Sequence, residues 1–181
     1  QALPYDKPGD AISVFIAGWP SRPSTWASID ADEVKFWDSF LAIRDTVNKG
    51  LEDSRNAKLL GASLEAKITL HCSDADFVAR LNREEIARDL RYLFIVSQVE
   101  VVTSSDAATA GCDFKSIVDV PGAGTVSVGV ARASGAKCAR CWNFSNLVGV
   151  DAKHATLCER CVPIVNASHP DLVVAAPAPA S

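Results

Sequence analysis

The sequence predicts an α+β fold ending in a zinc-ribbon-like pair of knuckles, and three observations carry that expectation. Apolar residues recur at helical spacing after Asp30, switch to a period of two near Leu64 and again near Val126, and then give way to two Cys-x-x-Cys pairs. A chain of 181 residues can bury one core plus a small appendage, and is short for two large domains. Hydrophobic residues make up 48% and charged residues 22%, which excludes wholesale disorder. No apolar run approaches the roughly 20 residues of a membrane span, so no membrane partner is expected.

Taken in order, residues 1–31 hold Pro4, Pro8, Pro20 and Pro23 and an alternation at Ile12, Val14 and Ile16, which reads as an extended arm. Asp30 or Asp32 then caps a helix. Its expected apolar stripe is Val34, Trp37, Leu41, Val47 and Leu51, with Phe40 and Ile43 between and Lys35, Asp38, Asp45, Glu52 and Arg55 opposite. Gly50 costs that helix about 1 kcal/mol relative to Ala, and Gly61 is the expected stop. From Leu64 to Leu70 the period is two, a half-buried strand. Ser73 or Asp74 opens a second helical stretch through Phe77, Val78, Leu81, Ile86 and Leu90, and a strand follows from Ile95 and Val96 to Val101 and Val102. Residues 103–113 read as a loop, and Val126, Val128 and Val130 as a last strand. The expected domains are residues 1–62 (arm and helices), 63–131 (a small mixed α/β domain), 132–165 (metal-binding) and 166–181 (a mobile Ala/Pro tail).

The cysteines carry the most specific signal. Cys138 and Cys141 form one knuckle, and Cys158 and Cys161 the other. A tight Cys-x-x-Cys turn offers two sulfurs, so two turns complete a tetrahedral zinc shell. One structural zinc is therefore favoured over disulfides or a redox pair. With four sulfur ligands no position stays open for water, so the metal holds shape rather than catalysing. Such knuckles imply a reducing compartment. Asn146 and Gly149 are turn candidates for a hairpin in the spacer, and His154 is a lesser candidate ligand. The chain has no Met, even at position 1, so it is expected to be processed or a piece of something longer.

A net charge of −4 excludes a wholly electropositive surface and counts against RNA binding unless a local patch exists. Residues 132–161 supply one, with Arg132, Lys137, Arg140, Lys153 and Arg160 against Asp151 and Glu159. A zinc tetrathiolate lowers that surplus to about +1. Arg140 and Trp142 flank Cys141, where a guanidinium and an indole can hold an unpaired base. From spacing alone, the reading that Trp142 merely packs on the finger is favoured.

Lys137-Cys138-Ala139-Arg140-Cys141-Trp142, followed by Leu157-Cys158-Glu159-Arg160-Cys161, resembles the zinc-binding C-terminus of bacterial-type isoleucyl-tRNA synthetases. Ser13-Val14-Phe15 to Trp19-Pro20, Arg55 to Ala66, and Leu90 to Ser97 are similar to that family in the same order. Ala155 departs from the proline often found before the second pair, which bears on loop stiffness more than on metal binding.

The resemblance implies that residues 10–60 belong to a helical anticodon-binding segment, and the rest to junction and zinc domains that grip the anticodon arm of a tRNA. It implies that Arg140 and Trp142 contact bases, with Lys137, Lys153 and Arg160 as weaker phosphate contacts. The family's His-Ile-Gly-His-type and Lys-Met-Ser-Lys-Ser-type signatures are absent, so no catalytic residue and no amino-acid activation are expected from this chain alone. A separate catalytic chain is one expected partner. The alternative is a synthetase-derived structural subunit docking RNA or protein in a larger ribonucleoprotein, such as an organellar ribosome. Cytoplasm, mitochondrion and chloroplast all fit.

Overall fold

A computed structural model describes residues 15–16, 18–19, 21–24 and 30–173. Two units are distinguished, Gln1–Val34 and Lys35–Ser181. Of the expected N-terminal arm, Ile12 and Val14 lie outside the described residues, as do the final residues of the expected tail.

Helix α1 spans Ala31–Asn56. Asp30 opens it, its carboxylate accepting from the Asp32 N–H at 3.0 Å and its carbonyl from the Val34 N–H at 3.1 Å. The buried face is Phe36, Phe40, Ile43, Val47, Gly50 and Leu51. This corrects the expected stripe, because Leu41 is 51% exposed. The stripe that packs starts at Phe36 and steps by four, three and four, and Leu41 falls off it by about a third of a turn. The helix also stops before Gly61. Lys58 takes a left-handed φ of 60°, and the Ser54 carbonyl accepts from the Leu59 and Leu60 N–H groups.

Strands β1 (Ala66–Cys72), β2 (Gln98–Val101), β3 (Phe114–Val120) and β4 (Gly124–Arg132) form one sheet in the order β2-β1-β4-β3. β1 runs parallel to β2 and antiparallel to β4, with Ile68 opposite both Val99 and Val130. One face presents Ile68, Leu70, Val126, Val128 and Val130 to the core that holds α1, so helix and sheet share a single hydrophobic interior. Gly50 explains itself here. A Cβ at that position would lie 2.6 Å from a Phe114 ring carbon, so the missing side chain lets α1 approach the sheet.

The helical stretch expected after Asp74 is divided into three short helices: α2 (Ala75–Leu81), α3 (Glu84–Ala87) and α4 (Leu90–Leu93). Asp74 caps the first, accepting from the Phe77 N–H at 2.7 Å. Ile95 is not in a strand. It adopts φ 57°, a turn that delivers the chain from α4 to β2. The expected loop at 103–113 holds α5 (Ser105–Thr109), which lies against β1 and β4. Ala108 approaches Gly129 so closely that a Cβ there would meet the Ala108 carbonyl oxygen at 2.1 Å.

The remainder has a small core of its own around Cys138, Leu157, Cys158, Cys161 and Val165. A two-stranded hairpin, β5 (Ala136–Lys137) with β6 (Phe144–Ser145), brackets the first knuckle. No hairpin forms within the spacer itself: it supplies β6 to the pairing with β5, and beyond that it holds turns and one 3-10 turn at Ala152–His154. Helix α6 (Cys161–Ser168) starts on the last cysteine, so regular structure continues past Val165, where the tail was expected to begin. The described part is thus mixed α/β with a small mixed sheet and a four-cysteine cluster.

Candidate metal centre and nucleic-acid interface

Local backbone geometry brings the four thiols together. In the first knuckle the Trp142 N–H returns to the Cys138 carbonyl at 2.9 Å, and Trp142 takes φ 65°, which closes the turn around Cys141. In the second, the Cys161 N–H donates to the Cys158 carbonyl at 2.9 Å. Gly149, at φ 85°, donates to the Leu157 carbonyl and so folds the spacer back on itself. The Cys158 N–H then points at the Cys138 sulfur, 3.4 Å away.

All four sulfurs lie within 4.8 Å of one another, and Cys141 Sγ is 3.7 Å from Cys158 Sγ. Zn–S bonds near 2.3 Å at tetrahedral corners require sulfur–sulfur edges of about 3.8 Å. The donor set and its spacing fit one zinc ion. Burial pushes the Cys158 and Cys161 thiols up, whereas around Cys138 burial is outweighed by the N–H groups of Cys141, Cys158 and Arg140, which bring it down to about 6. Four thiolates this close repel one another strongly without a cation among them.

His154 is no part of this shell. It is fully buried, and its Nε2 is 2.9 Å from Asn166 Oδ1 on α6, so it ties the 3-10 turn to that helix.

The residues expected to meet RNA are distributed unevenly. Arg140 is exposed, and its Nη1 lies 3.6 Å from Cys161 Sγ, which pushes its own pKa further up. Trp142 is 62% exposed, with the Lys137 ammonium 5.4 Å from its ring centroid. These three therefore cluster on the first knuckle and its hairpin. Lys153 instead donates to the Pro170 carbonyl, and Arg160 stacks on the ring of Tyr92 at 4.9 Å.

Two residues that tie the finger to the sheet body were not singled out from the sequence. Ser97 accepts from the Phe144 N–H at 2.7 Å. The Gln98 side chain donates to the Ser134 carbonyl at 2.9 Å and accepts from the Ser134 N–H at 3.1 Å. A short polar pair after an apolar run looks like any strand entrance, so the sequence carries no signal for either.

Residues 135–164 match the family described as the zinc finger found in FPG and IleRS. Beyond the finger, the chain is 41% identical over 184 residues to the chloroplastic/mitochondrial isoleucine–tRNA ligase of Arabidopsis thaliana, covering 97% of this chain and 17% of that protein. It is 44% identical over 162 residues to the isoleucine–tRNA ligase of Gloeobacter violaceus, covering 90% and 15%. For the Nostoc sp. isoleucine–tRNA ligase the identity is 43% over 168 residues, covering 90% and 16%. The chain is homologous to the C-terminal zinc-binding region of isoleucine–tRNA ligases. It spans about a sixth of the length of the curated relatives it matches. The match to isoleucine–tRNA ligases continues through the sheet body, so the resemblance is more than that of a zinc finger alone. The zinc is structural, as the closed four-sulfur set requires. No helix among the described residues is long and apolar enough to cross a membrane.

Proposed function

We propose that this chain is a non-catalytic, zinc-stabilised part of an isoleucine–tRNA ligase that binds the anticodon arm of its tRNA. Cys138, Cys141, Cys158 and Cys161 hold the metal, and Arg140 and Trp142 contact unpaired bases. Lys137, beside the indole, serves the backbone. The observation that carries this reading is the 62% exposure of Trp142, set between a metal-knuckle turn and a cation. An indole that served only to pack on the finger would be buried. This one offers a face for stacking, worth about 1–3 kcal/mol per base.

On this reading residues 1–62 belong to an anticodon-binding segment, 63–131 to a junction domain and 132–165 to the zinc domain, which α6 extends to Ser168 before the tail. Lys153 acts on RNA only if the Pro170 carbonyl releases it. The setting follows the relatives: cytoplasm, mitochondrion or chloroplast.

The test is equilibrium binding of the zinc-loaded chain to isoleucine tRNA and to another tRNA. Selective binding that an isolated isoleucine anticodon stem-loop competes away, and that weakens as salt rises, supports the reading. Equal affinity for both tRNAs, or no effect of the stem-loop, contradicts it.

A further inference from the structure

Tyr92 of α4 is flanked by two guanidinium groups, one from the finger and one from its own helix, which together form a cationic site. The guanidinium carbon of Arg160 lies 4.9 Å from the Tyr92 ring centroid and that of Arg91 lies 5.0 Å from it. Arg91 Nη2 also donates to the Tyr92 hydroxyl at 3.2 Å. Arg88, nearby in sequence, pairs with Asp89. By contrast, neither Arg91 nor Arg160 meets a carboxylate among the described residues. Two guanidinium groups thus share one half-exposed ring in a chain whose net charge is −4.

Arg91 adds a second, independent observation. Its Nε is buried and has no hydrogen-bond partner. Desolvating a charged donor without an acceptor is unfavourable, and an anion close to the guanidinium offsets that penalty electrostatically. A purely structural latch between finger and body would need only Arg160 on Tyr92, and leaves Arg91 unexplained. The planar fork of arginine donors matches the oxygens of a phosphate. The ring is engaged by cations, which disfavours base stacking on it.

We propose that Arg91, Tyr92 and Arg160 form a phosphodiester-binding site for RNA, separate from the base-contacting knuckle at Arg140 and Trp142. The proposal rests on the anticodon-arm reading for its ligand, and extends the RNA surface from the finger onto the sheet body. Tyr92 holds both guanidinium groups in place, and its own hydroxyl hydrogen remains available to a phosphate oxygen.

The experiment titrates the full zinc-loaded chain with isoleucine tRNA and with a second tRNA across a range of salt. It compares the parent, Arg91→Gln, the Arg91→Gln/Arg160→Gln double variant and Arg140→Ala/Trp142→Ala. The double glutamine variant is expected to lose about tenfold in affinity for both tRNAs equally, and its salt slope to fall by roughly 0.7–0.9 per lost contact. The Arg140→Ala/Trp142→Ala variant instead loses the preference between tRNAs. If the parent shows no preference but the glutamine variants still flatten the slope, the base-contact reading fails and the phosphate site stands. Should Arg160→Gln disturb the finger, as zinc content would reveal, Arg91→Gln alone carries the test, because Arg91 belongs to α4 of the sheet body. Parent-like affinity and slope in Arg91→Gln would overturn the proposal. So would binding of poly-glutamate with no binding of either tRNA.

Discussion

The Phe144 N–H donates to the hydroxyl of Ser97 at 2.7 Å, and that hydroxyl in turn donates a hydrogen bond to the carbonyl of Leu64. One buried hydroxyl thereby joins the hairpin of the finger to the strand entrance of the body. Replacing Ser97 by Ala leaves an N–H and a carbonyl without partners, at a cost of about 1–3 kcal/mol. We expect Ser97→Ala to keep its zinc but to exchange the Phe144 amide hydrogen faster, measured by hydrogen exchange. Unchanged protection there would show that the joint lies elsewhere.

Gly50→Ala sets two effects against each other. Helix propensity favours Ala by about 1 kcal/mol. The new methyl, however, meets Phe114 at 2.6 Å and Val130 at 3.0 Å, and overpacking costs about 1–3 kcal/mol. The steric term is expected to win, lowering the thermal midpoint. A raised midpoint would mean that α1 stands further from the sheet than described.

Gly50 also marks how far the sequence was legible. Strands β1 and β4 were readable because Ile68, Leu70, Val126, Val128 and Val130 alternate with residues facing the other side. The knuckles were readable because four sulfurs at that spacing have few other uses. The face of α1 was not, because Val34 and Leu41 mimic a stripe that Phe36 and Phe40 supply. Strand β3 was missed although Phe114, Ser116 and Val118 alternate with exposed residues, because Lys115 and Asp119 dilute the apolar signal at this sheet edge. Helix α5 was missed because Ser, Ala and Thr read as a loop; the Ser104 hydroxyl caps it, accepting from Ala107, and the sheet holds it. Of the candidate site, Arg140 and Trp142 were named from the sequence, but the engagement of Lys153 with Pro170 and of Arg160 with Tyr92 depends on contacts across the fold.

Thiol reactivity separates the two classes of cysteine. Burial, reinforced by Asp74, pushes the Cys72 thiol up to about 12, and burial raises partly exposed Cys112 as well. At neutral pH the zinc-loaded protein should show at most one slowly reacting thiol, Cys112, and a strong chelator should expose four more. Five rapidly reacting thiols before chelation would contradict the metal assignment.

Cys72 also predicts an alkaline limit to stability. Its folded value, about 12, lies above the ordinary 9.0, so its protonated form is favoured by folding. That contribution is whole below pH 9 and is lost as pH rises from 9 towards 12. Cys72→Ala should flatten this part of the stability profile measured by denaturant unfolding. A profile of unchanged steepness would place the cause in another group.

Metal removal should act locally. The finger and the body have separate hydrophobic cores. Chelation is therefore expected to unfold residues around the knuckles while most far-ultraviolet circular dichroism remains. Loss of the whole signal in one step would mean that the body depends on the finger for its fold.

The most direct measurement is isoleucine-tRNA affinity of the Arg140→Ala/Trp142→Ala variant, with zinc content determined on the same sample. The account predicts one zinc per chain, as in the parent, and roughly a hundredfold weaker binding from the lost stacking and charge contacts. Parent-like affinity at full zinc occupancy would contradict it.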